Sequence, residues 1–577
     1  MKNKLRVVFD ASKRNAGISL NDSLLSGPDL TNNLIGVLIR FREERFAVMG
    51  DVESLFMQVK VPSEHSDFMR VLWWENGDTL GKPIQYRLTS HTFGTVSSPS
   101  VANYVLKRSV LDVHNIDEES VFTILKCTYV DDVMRSFSCE KEASRIFNEV
   151  RNTVALSGFN IKGVISNSRS VLESMPSDCL APCLENINLN RDELPNNSVL
   201  GVCWQVDSDS FSFKISETAK PNTRRGVLSS ICRIFDPLGL ASPILVYARR
   251  IFQETCLRKL DWDDELPQDL KVKWERWLKD ILNLDRYSVP RCIKGTITGA
   301  SLLQLHVFCD GSLTAYGAVA YARFVDSAGN VNCSLIMSKA RQTPISNSAL
   351  KTVPRIELNS AKLAVTLSMT IQRELSMEVG AVYYWSDSIT VLKYIRNDTA
   401  RFQRFVENRV NYIRAHSSKE SWLYIPGELN VADICSRGAS VSEFLDCKAW
   451  TGGPEFLKAN TVEPFLEPES SGELNMEIKR ALNTVTADSV TLVTPTDKLL
   501  SSCSDWHRLK FRVCIFLSIR SGLRFGEWFR YPFDKQLFAK SEISIWKFVQ
   551  SKHYQNQISI VSENLPLRRS WWTHSAQ

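Results

Sequence analysis

An aspartate pair inside an apolar, β-branched run most constrains how this chain can fold, namely Asp131 and Asp132 within Cys127–Met134. Apolar residues lead in over Thr123–Leu125 and lead out over Val133–Phe137, which predicts a β-hairpin with the two aspartates at its tip. Adjacent like charges repel, so a fold tolerates them best in open water or around a cation. A solvated turn is the commoner use of such a pair. The rest of the sequence must therefore decide between the two.

The chain is long enough for several domains. Its 577 residues predict roughly three or four domains of about 100 to 200 residues each. With 44% hydrophobic and 23% charged residues it is globular, and its net charge of +6 says little about partners. Local charge says more, because Lys220–Lys259 holds eight basic residues against two acids, ahead of the acidic run Asp261–Glu265. That stretch is either a solvated helical face or a face turned towards phosphates.

Cysteine usage and the N-terminus predict a soluble, intracellular protein. The fourteen cysteines are scattered, and the closest pair, Cys179 and Cys183, has no matching pair elsewhere. We therefore expect reduced thiols, with neither a disulfide framework nor a zinc site. The start Met1–Arg6 lacks an apolar signal region, and no run of about 18 apolar residues occurs, so we expect no membrane association.

A second apolar strand also runs into a carboxylate. The stretch Arg45–Val59 places Asp51 at the end of a strand, where it would lie at the edge of a sheet, with Phe56 five residues further on. The loop Tyr86–Ser100 leads into a helix that is predicted to begin near Pro99. Helix N-termini also bind phosphates, although capping alone explains this composition.

Four more acids follow secondary-structure elements in the second half of the chain. The alternating stretch Leu305–Ser312 predicts a strand that ends in Asp310, and Gly317–Tyr321 is its predicted hairpin partner. Glu357 is expected in the first turn of a helix, Asp387 ends a strand, and Asp433 opens another helix. Each acid alone is explained as a strand end or as a charge favoured by the helix dipole.

These motifs, in this order, resemble known enzymes. The strand with Asp51, the Phe93-Gly94 loop and Tyr129–Asp132 resemble the palm of a reverse transcriptase, and the later order of strand, helix, strand and helix acids resembles ribonuclease H. More specifically, the chain resembles the polyprotein of Pao/BEL-type LTR retrotransposons. The distinctive stretches are Arg6–Ser12, Ser19–Asp22, Ser26–Pro28 and Phe235–Leu240.

The resemblance implies a multidomain α/β (α+β) fold. Residues 1–215 would form truncated reverse-transcriptase fingers and a palm with an antiparallel sheet, and residues 216–300 a thumb and connection. A ribonuclease H-like α/β domain would occupy 301–440. Residues 441–577 would form a linker and a mainly helical region ahead of an integrase.

The resemblance also implies which residues act in the polymerase. Two Mg²⁺ would be held by Asp51, Asp131 and Asp132, with Asp131 as the principal ligand beside Asp51, because hard cations prefer carboxylate oxygens. The residues implied to contact the nucleotide are Arg6, Phe56, Phe93 and Lys162. Those implied to contact the primer or the duplex backbone are Leu200, Gly201, Arg224 and Arg225.

For ribonuclease H the resemblance implies a second pair of Mg²⁺, with Mn²⁺ as an alternative ion. The ligands would be Asp310, Glu357, Asp387 and Asp433, and the ions would activate water against an RNA phosphodiester. One departure is the loop Pro426–Leu429, where retroviral enzymes carry a histidine. Whether Glu428 replaces that histidine stays open, and His306, on a strand, is predicted to be structural.

The function implied is an RNA-directed DNA polymerase with ribonuclease H activity. Its partners would be an RNA template, a DNA primer, the RNA:DNA hybrid, dNTPs, the protease and integrase of the same polyprotein, and a second copy of the chain. It would act in cytoplasmic particles or in the nucleus. The alternative is an inactive, truncated remnant that only binds nucleic acid. A peptidase is excluded because the sequence lacks Asp-Thr/Ser-Gly.

Overall fold

The computed structural model describes residues 8–184, 194, 196–215, 221–299, 301–345, 352–468, 477, 503, 505–520 and 535–553. Arg6 lies outside these residues. The chain divides into two units, Met1–Lys479 and Arg480–Gln577. The mixture of helices and largely antiparallel sheets confirms the predicted α/β (α+β) class, whereas the four finer domain boundaries stay a prediction.

The first unit contains sixteen helices in its described part, several of which begin at a side-chain cap. They are α1 Leu20–Ser23, α2 Leu34–Phe41, α3 Leu55–Gln58, α4 Ser98–Leu111, α5 Glu118–Lys126, α6 Glu140–Leu156, α7 Arg169–Glu173, α8 Arg224–Cys232, α9 Ser242–Leu257, α10 Gln268–Asp280, α11 Val353–Glu374, α12 Ile389–Arg396, α13 Arg404–His416, α14 Asp433–Arg437, α15 Val441–Asp446 and α16 Lys448–Gly452. The helix predicted to begin near Pro99 is confirmed as α4.

The described strands form four sheets. The strands are β1 Phe46–Val52, β2 Arg70–Trp73, β3 Ile84–Arg87, β4 Thr128–Tyr129, β5 Asp132–Phe137, β6 Ile161–Ser166, β7 Asn197–Val199, β8 Val202–Gln205, β9 Ser210–Ser212, β10 Ser288–Pro290, β11 Ser301–Gly311, β12 Ala315–Asp326, β13 Val331–Gln342, β14 Ala381–Ser386 and β15 Trp422–Tyr424. Strands β2 and β3 form a hairpin of their own.

The first sheet is antiparallel, in the order β4-β5-β1-β6, as expected for a palm. Alternate side chains of β1 enter two different cores because successive residues of a strand point to opposite faces. Val48 and Val52 pack with Ile146 and Phe147 of α6. Met49 joins the larger core on the other face. Both faces of the sheet are therefore covered. Asp51, near the C-terminal end of β1, lies where the strands end.

The stretch before the aspartate pair is helical, which corrects the predicted strand. Residues Thr123–Leu125 belong to α5, and only Thr128 and Tyr129 are extended before the turn. This stretch is helical rather than extended because the Asp117 side chain caps the helix, accepting a hydrogen bond from the Glu119 N–H at 2.8 Å. The hairpin itself is confirmed, and its turn includes Val130 at φ 57°.

A second antiparallel sheet has the order β10-β9-β8-β7. Its β7–β8 hairpin turns at Leu200 and Gly201, whose φ angles of 48° and 86° are both left-handed. Positive φ at both central residues matches the two-residue turn that suits the twist of paired strands. The predicted primer-gripping pair is thus the tip of a tight hairpin.

The third sheet has five strands in the order β13-β12-β11-β14-β15. Strands β11, β12 and β13 are antiparallel neighbours, whereas β14 and β15 run parallel to β11. The long helix α11 packs on this sheet, and its buried residues Leu358, Leu363 and Leu367 belong to the same core as the strands. The predicted hairpin between the strand of Asp310 and Gly317–Tyr321 is confirmed.

Two buried arginines fasten the sheets of this unit together. Arg42 is 1% exposed and donates hydrogen bonds to four carbonyls, on Pro290, Arg291, Leu335 and Ile336. Arg291 is fully buried and contacts Asp209 at 2.6 and 2.8 Å. Buried charges persist only when they are paired and hydrogen-bonded. The end of α2 is therefore fixed to β10 and β13.

The second unit contains α17 Trp506–Arg520 and α18 Lys535–His553 in its described part. Lys510 and Glu542 form an ion pair between them at 3.2 Å. Both helices lie within residues 441–577, for which a linker and a mainly helical region were predicted. Residues 469–476 and 478–502 of that region lie outside the described residues. Among the helices described, none has the length and apolar character to span a membrane, and all fourteen cysteines are free.

Candidate active sites

The three acids predicted for a polymerase lie at one edge of the first sheet. Asp51 on β1 is the register partner of Asp132 on β5, and the Val52 N–H donates to the Asp131 carbonyl at 2.7 Å. Directly opposed residues on antiparallel strands project to the same face. The structure therefore brings the three aspartates together. It gives Asp132 the position opposite Asp51, so the ranking of Asp131 as principal ligand stays a prediction.

The electrostatics of Asp132 reflect this crowding. Burial, followed by the charges of Asp131 and Asp51, raises the pKa of Asp132 to about 7. A carboxyl group with such a pKa binds a proton near neutral pH unless a cation takes its place. The site therefore favours a positive charge among the three acids.

Two of the four predicted nucleotide contacts touch each other. Phe56 and Phe93 pack edge to face, with ring centroids 4.8 Å apart. Lys162 lies opposite Asp51 in the register of β1 and β6, but its Nζ is bound to Asp178, with the carbonyl at 3.0 Å and the carboxylate at 3.1 Å. To reach a nucleotide, Lys162 must leave Asp178.

The two arginines predicted to contact duplex backbone have partners within the protein. Arg224 donates to the Leu260 carbonyl at 2.9 Å and lies 4.3 Å from the ring centroid of Trp262. Arg225 forms a bidentate pair with Asp263 at 2.7 and 2.9 Å. The acidic run that follows the basic stretch therefore neutralises part of it.

The four acids predicted for ribonuclease H converge at one end of the five-stranded sheet. Asp310 lies near the end of β11, Asp387 directly follows the neighbouring β14, and Asp433 begins α14. Glu357 is the fifth residue of α11, just beyond the first turn where it was expected. Gly311 allows this approach, because a Cβ there would lie 2.9 Å from the Glu357 nitrogen.

The pKa values of these acids show that their charges interact. Burial is the first cause in each case, and the charge of Asp310 is a further cause for all of the other three. The pKa of Glu357 is raised to about 7 and that of Asp387 to about 6, while that of Asp433 is raised despite the opposing charge of Arg437. Clustered, desolvated carboxylates of this kind are typical of functional sites.

Three neighbours that the sequence analysis missed hold these carboxylates. The Ser388 hydroxyl donates to Glu357 at 2.6 Å, and the Ser436 hydroxyl donates to Asp310. Arg437 forms an ion pair with Asp433 at 2.7 Å. The spacing of four residues between Asp433 and Arg437 on a helix could have indicated the last contact. The serines carry no such signal.

The chemistry of the cluster fits divalent cations, which prefer carboxylate oxygens. One buried oxygen, Oδ1 of Asp387, has no hydrogen-bond partner in the described part of the chain, which a cation would correct. As the side chains stand, however, no three acidic, histidine or cysteine groups among the described residues are placed to share an ion. Binding would therefore require acids such as Asp433 to exchange their present partners.

His306 is structural, as predicted. It is fully buried, its ring accepts a hydrogen bond from Trp385 Nε1 at 3.2 Å, and burial lowers its pKa to about 3. The loop with Glu428 instead lies beside the acids. A Cβ on Gly427 would be 3.3 Å from Oδ2 of Asp387, while Glu428 itself is exposed.

We expect the raised pKa of Glu357 to appear as a pH-dependent stability. The pKa in the folded chain, about 7, exceeds the value of about 4.3 for an unperturbed glutamate. The stabilisation is then complete below the unfolded pKa and is lost as the pH rises through about 7. We therefore measure the free energy of unfolding by urea denaturation in EDTA. The difference between Glu357→Gln and the unaltered chain should favour the variant more at pH 8 than at pH 5.

Magnesium provides the second half of this measurement. Because a cation binds the ionised acids of the folded state, Mg²⁺ should raise the urea midpoint of the unaltered chain more at pH 8 than at pH 5. Glu378→Gln, at an exposed position after α11, is the matched control and should follow the unaltered chain. A Glu357→Gln profile parallel to the unaltered one would contradict the raised pKa.

The mixed five-stranded sheet thus carries acids on β11, on α11, after β14 and on α14. Residues 223–388 match the family model of the Pao retrotransposon-like RNaseH-like domain. The predicted resemblance to Pao/BEL-type retroelements is thereby confirmed. Three of the four acids lie inside the match, and Asp433 lies beyond its end.

Solved structures of foamy viral protease-reverse transcriptases are similar at low identity. The dRH form with ds DNA gives a TM-score of 0.44 at 14% identity, covering 73% of this chain and 62% of that one. The complex with RNA/DNA hybrid gives a TM-score of 0.41 at 14% identity, covering 70% of this chain and 47% of that one. The complex with dsDNA gives a TM-score of 0.38 at 13% identity, covering 69% of this chain and 71% of that one. Comparison with curated proteins gives no match.

Proposed function

We propose that this chain is an RNA-directed DNA polymerase with ribonuclease H activity. One observation carries the proposal: four acids on separate elements interact electrostatically, and three of them lie in the segment that matches the Pao RNaseH-like family model. The second acid cluster, Asp51, Asp131 and Asp132, supports the polymerase half because it lies on a different sheet of the same unit. Two chemistries on one chain need two such sites.

In the polymerase half, the three aspartates would hold Mg²⁺ and the Phe56–Phe93 pair would form the wall beside an incoming dNTP. When bound, the cations supply activation of the primer hydroxyl and neutralisation of the leaving pyrophosphate. The chain's own contribution is alignment, since phosphoryl transfer requires little other chemistry from the protein. The Leu200–Gly201 hairpin would support the primer end.

In the ribonuclease H half, Glu357 and Asp387 are the groups whose protonation changes near neutral pH. Ser388 orients Glu357 by donating to one of its oxygens, which leaves the other oxygen available to a cation or a water molecule. Ser436 does the same for Asp310. The substrate would be the RNA strand of an RNA:DNA hybrid.

The cellular setting is proposed on the retroelement resemblance alone. The chain would act in cytoplasmic particles or in the nucleus, together with the protease and integrase of the same polyprotein and a second copy of itself. Mn²⁺ is the alternative ion at both sites, since it suits the same oxygen ligands.

A second candidate is an inactive remnant that binds nucleic acid without processing it. The observation that favours it is the engagement of the acids by internal donors, above all the Asp433–Arg437 ion pair. No three acidic groups among the described residues are placed to share an ion in this arrangement. In the active enzyme, cations and substrate would displace internal donors such as Arg437 from the acids. In the remnant these donors would stay in place.

Primer extension separates the two candidates. The purified chain is incubated with Mg²⁺, dNTPs and a labelled DNA primer on an RNA template, and extension and template cleavage are followed on one gel. We expect both products, and neither after EDTA is added. Binding of the hybrid without either product would establish the remnant, while extension without cleavage would limit the enzyme to its polymerase half.

A further inference from the structure

One arginine of α2 contacts the two parts of the chain that carry acid clusters. Arg40 is 6% exposed, and its guanidinium lies between the end of α5 and the end of α11. Its Nε and Nη2 donate to the Lys126 carbonyl at 3.1 and 2.7 Å. Its Nη1 donates to the Glu374 carbonyl at 2.8 Å and to the Glu374 carboxylate at 3.0 Å. A single buried side chain therefore joins α5 to α11.

The Lys126 end of this link supports the aspartate hairpin, by which we mean β4, β5 and the turn between them, residues 128–137. Lys126 is the last residue of α5, where carbonyls lack a partner within the helix. Arg40 supplies that partner two residues before the hairpin begins. Asn32, just ahead of α2, donates through Nδ2 to the Thr128 carbonyl at 2.7 Å. The base of the hairpin that carries the paired aspartates is thus held from α2.

The Glu374 end of the link belongs to the helix of the other acid cluster. Glu374 is the last residue of α11. Glu357 lies near the other end of that helix, about 26 Å away at a rise of about 1.5 Å per residue. A second contact fastens the same end of α11 to the residues after α2, because the Ser376 N–H donates to the Glu43 carboxylate at 2.6 Å and the Ser376 hydroxyl donates to it as well.

The packing between α2 and α11 requires a glycine. Gly36 lies on α2 against the Glu374 side chain, and a Cβ at this position would be 2.6 Å from Cδ of Glu374. Glycine lowers the stability of a helix relative to alanine. Its presence inside α2 therefore provides the space in which the Glu374 carboxylate reaches Arg40.

The link depends on the shape and charge of both partners. A guanidinium presents its donors in a fixed, planar fork, so Arg40 binds Lys126 and Glu374 at the same time. Only 7% of the Arg40 side chain and 12% of the Glu374 side chain are exposed. Removing one partner of such a pair leaves the other charge buried without compensation. A change at Glu374 is therefore transmitted to the arginine that supports the hairpin.

We propose that Glu374 is a positioning residue for nucleotide addition, because through Arg40 it holds the base of the aspartate hairpin and so the places of Asp131 and Asp132. The inference rests on the proposed function, since it takes these aspartates to form the polymerase site. It assigns to α11 a task at each end, with Glu357 in RNA cleavage and Glu374 in support of the polymerase. Glu374 lies inside the segment that matches the RNaseH-like family model.

The first test compares primer extension and RNA cleavage by the full chain on one labelled hybrid. Groups that orient metal-binding side chains typically matter tenfold or more, so we expect Glu374→Gln to reduce extension at least about tenfold and to leave cleavage unchanged. Gly36→Ala should do the same, because the added Cβ displaces the Glu374 carboxylate while every charge is retained. Cleavage by each variant reports that the chain is folded. Glu378→Gln, exposed after α11, is the matched control.

Hydrogen exchange in EDTA separates positioning from a general loss of stability. In both variants we expect faster exchange in residues 128–137 and unchanged exchange in β11 and β12. Because Arg40 and Glu374 act as one link, Arg40→Lys/Glu374→Gln should lose no more extension than the more severe single variant.

Three results would overturn the positioning role. They are hairpin exchange equal to that of the unaltered chain, faster exchange in both sheets alike, and additive losses in the double variant. Each of them leaves the proposed function standing if the unaltered chain extends the primer. Absence of extension by the unaltered chain would instead overturn the proposed polymerase, and the positioning role with it.

Discussion

Glu357→Gln is expected to reduce RNA cleavage at least about a thousandfold, equivalent to about 4 kcal/mol of transition-state stabilisation, and to leave primer extension unchanged. Glutamine keeps the size of the side chain and an oxygen that can accept the Ser388 hydrogen bond. It loses the charge that Glu357 adds to the cluster with Asp310 and Asp387. Cleavage and extension are measured on the same labelled hybrid, because the two acid clusters lie on different sheets.

Two variants control this experiment. Glu378→Gln makes the same change at an exposed position after α11 and should cleave normally. Ser388→Ala removes the donor that orients Glu357, together with the cap that the same hydroxyl forms on α12 by accepting from the Val391 N–H at 3.3 Å. The lost hydrogen bond to Glu357 should cost roughly tenfold in cleavage, in line with about 1 kcal/mol for one hydrogen bond. Cleavage by Glu357→Gln within tenfold of the unaltered chain would contradict its assignment. Equal loss of extension would show that the two sites are not independent.

The acids could be predicted because each follows a strand or opens a helix in a pattern that the sequence displays. Asp51 and Asp310 are preceded by apolar runs, and these runs are strands β1 and β11. The register that brings Asp51 opposite Asp132 could not be predicted, since it depends on which strands pair. The sequence therefore located each acid along the chain, whereas the family resemblance placed Asp131 beside Asp51 and the register pairs Asp51 with Asp132.

The helix α5 shows where a short apolar run misleads. Its β-branched residues favour a strand, but a run of this length is ambiguous between strand and buried helix. The decisive signal lies just upstream, where Asp117 is followed by Glu118 and Glu119 in the first turn. Acidic residues after a capping aspartate mark a helix start. The cap and the apolar run together therefore indicate the helix that the run alone leaves ambiguous.

Charge in the basic stretch shows a different limit. The sequence counts eight basic residues between Lys220 and Lys259 but cannot say which of them are paired. In the structure Arg225 is neutralised by Asp263, whereas Arg250 of the same stretch is exposed and has no hydrogen bond or ion pair with a described residue. Pairing depends on tertiary contacts, so the number of cations alone does not locate a nucleic-acid surface.

The motif Phe235–Leu240 is distinctive in the sequence and has a structural role in the fold. The Asp236 carboxylate accepts hydrogen bonds from the N–H groups of Leu240 and Ala241, at 2.7 and 2.8 Å, just ahead of α9. The Leu238 carbonyl in turn accepts from the Ser338 N–H on β13 at 2.9 Å. The motif therefore anchors the start of α9 to the five-stranded sheet.

Asp51→Asn is expected to produce the reverse of the Glu357 result, with primer extension reduced at least about a thousandfold and RNA cleavage retained. Asp51 lies opposite Asp132, whose pKa of about 7 reflects burial and the charges of Asp131 and Asp51. Asparagine keeps the shape but removes one of three charges that would hold the cations. Asp112→Asn, exposed at the end of α4, is the matched control and should extend normally. Extension by Asp51→Asn within tenfold of the unaltered chain would contradict the assignment of Asp51 to the polymerase site. If Asp51→Asn loses only extension and Glu357→Gln loses only cleavage, the chain must contain two separate catalytic centres.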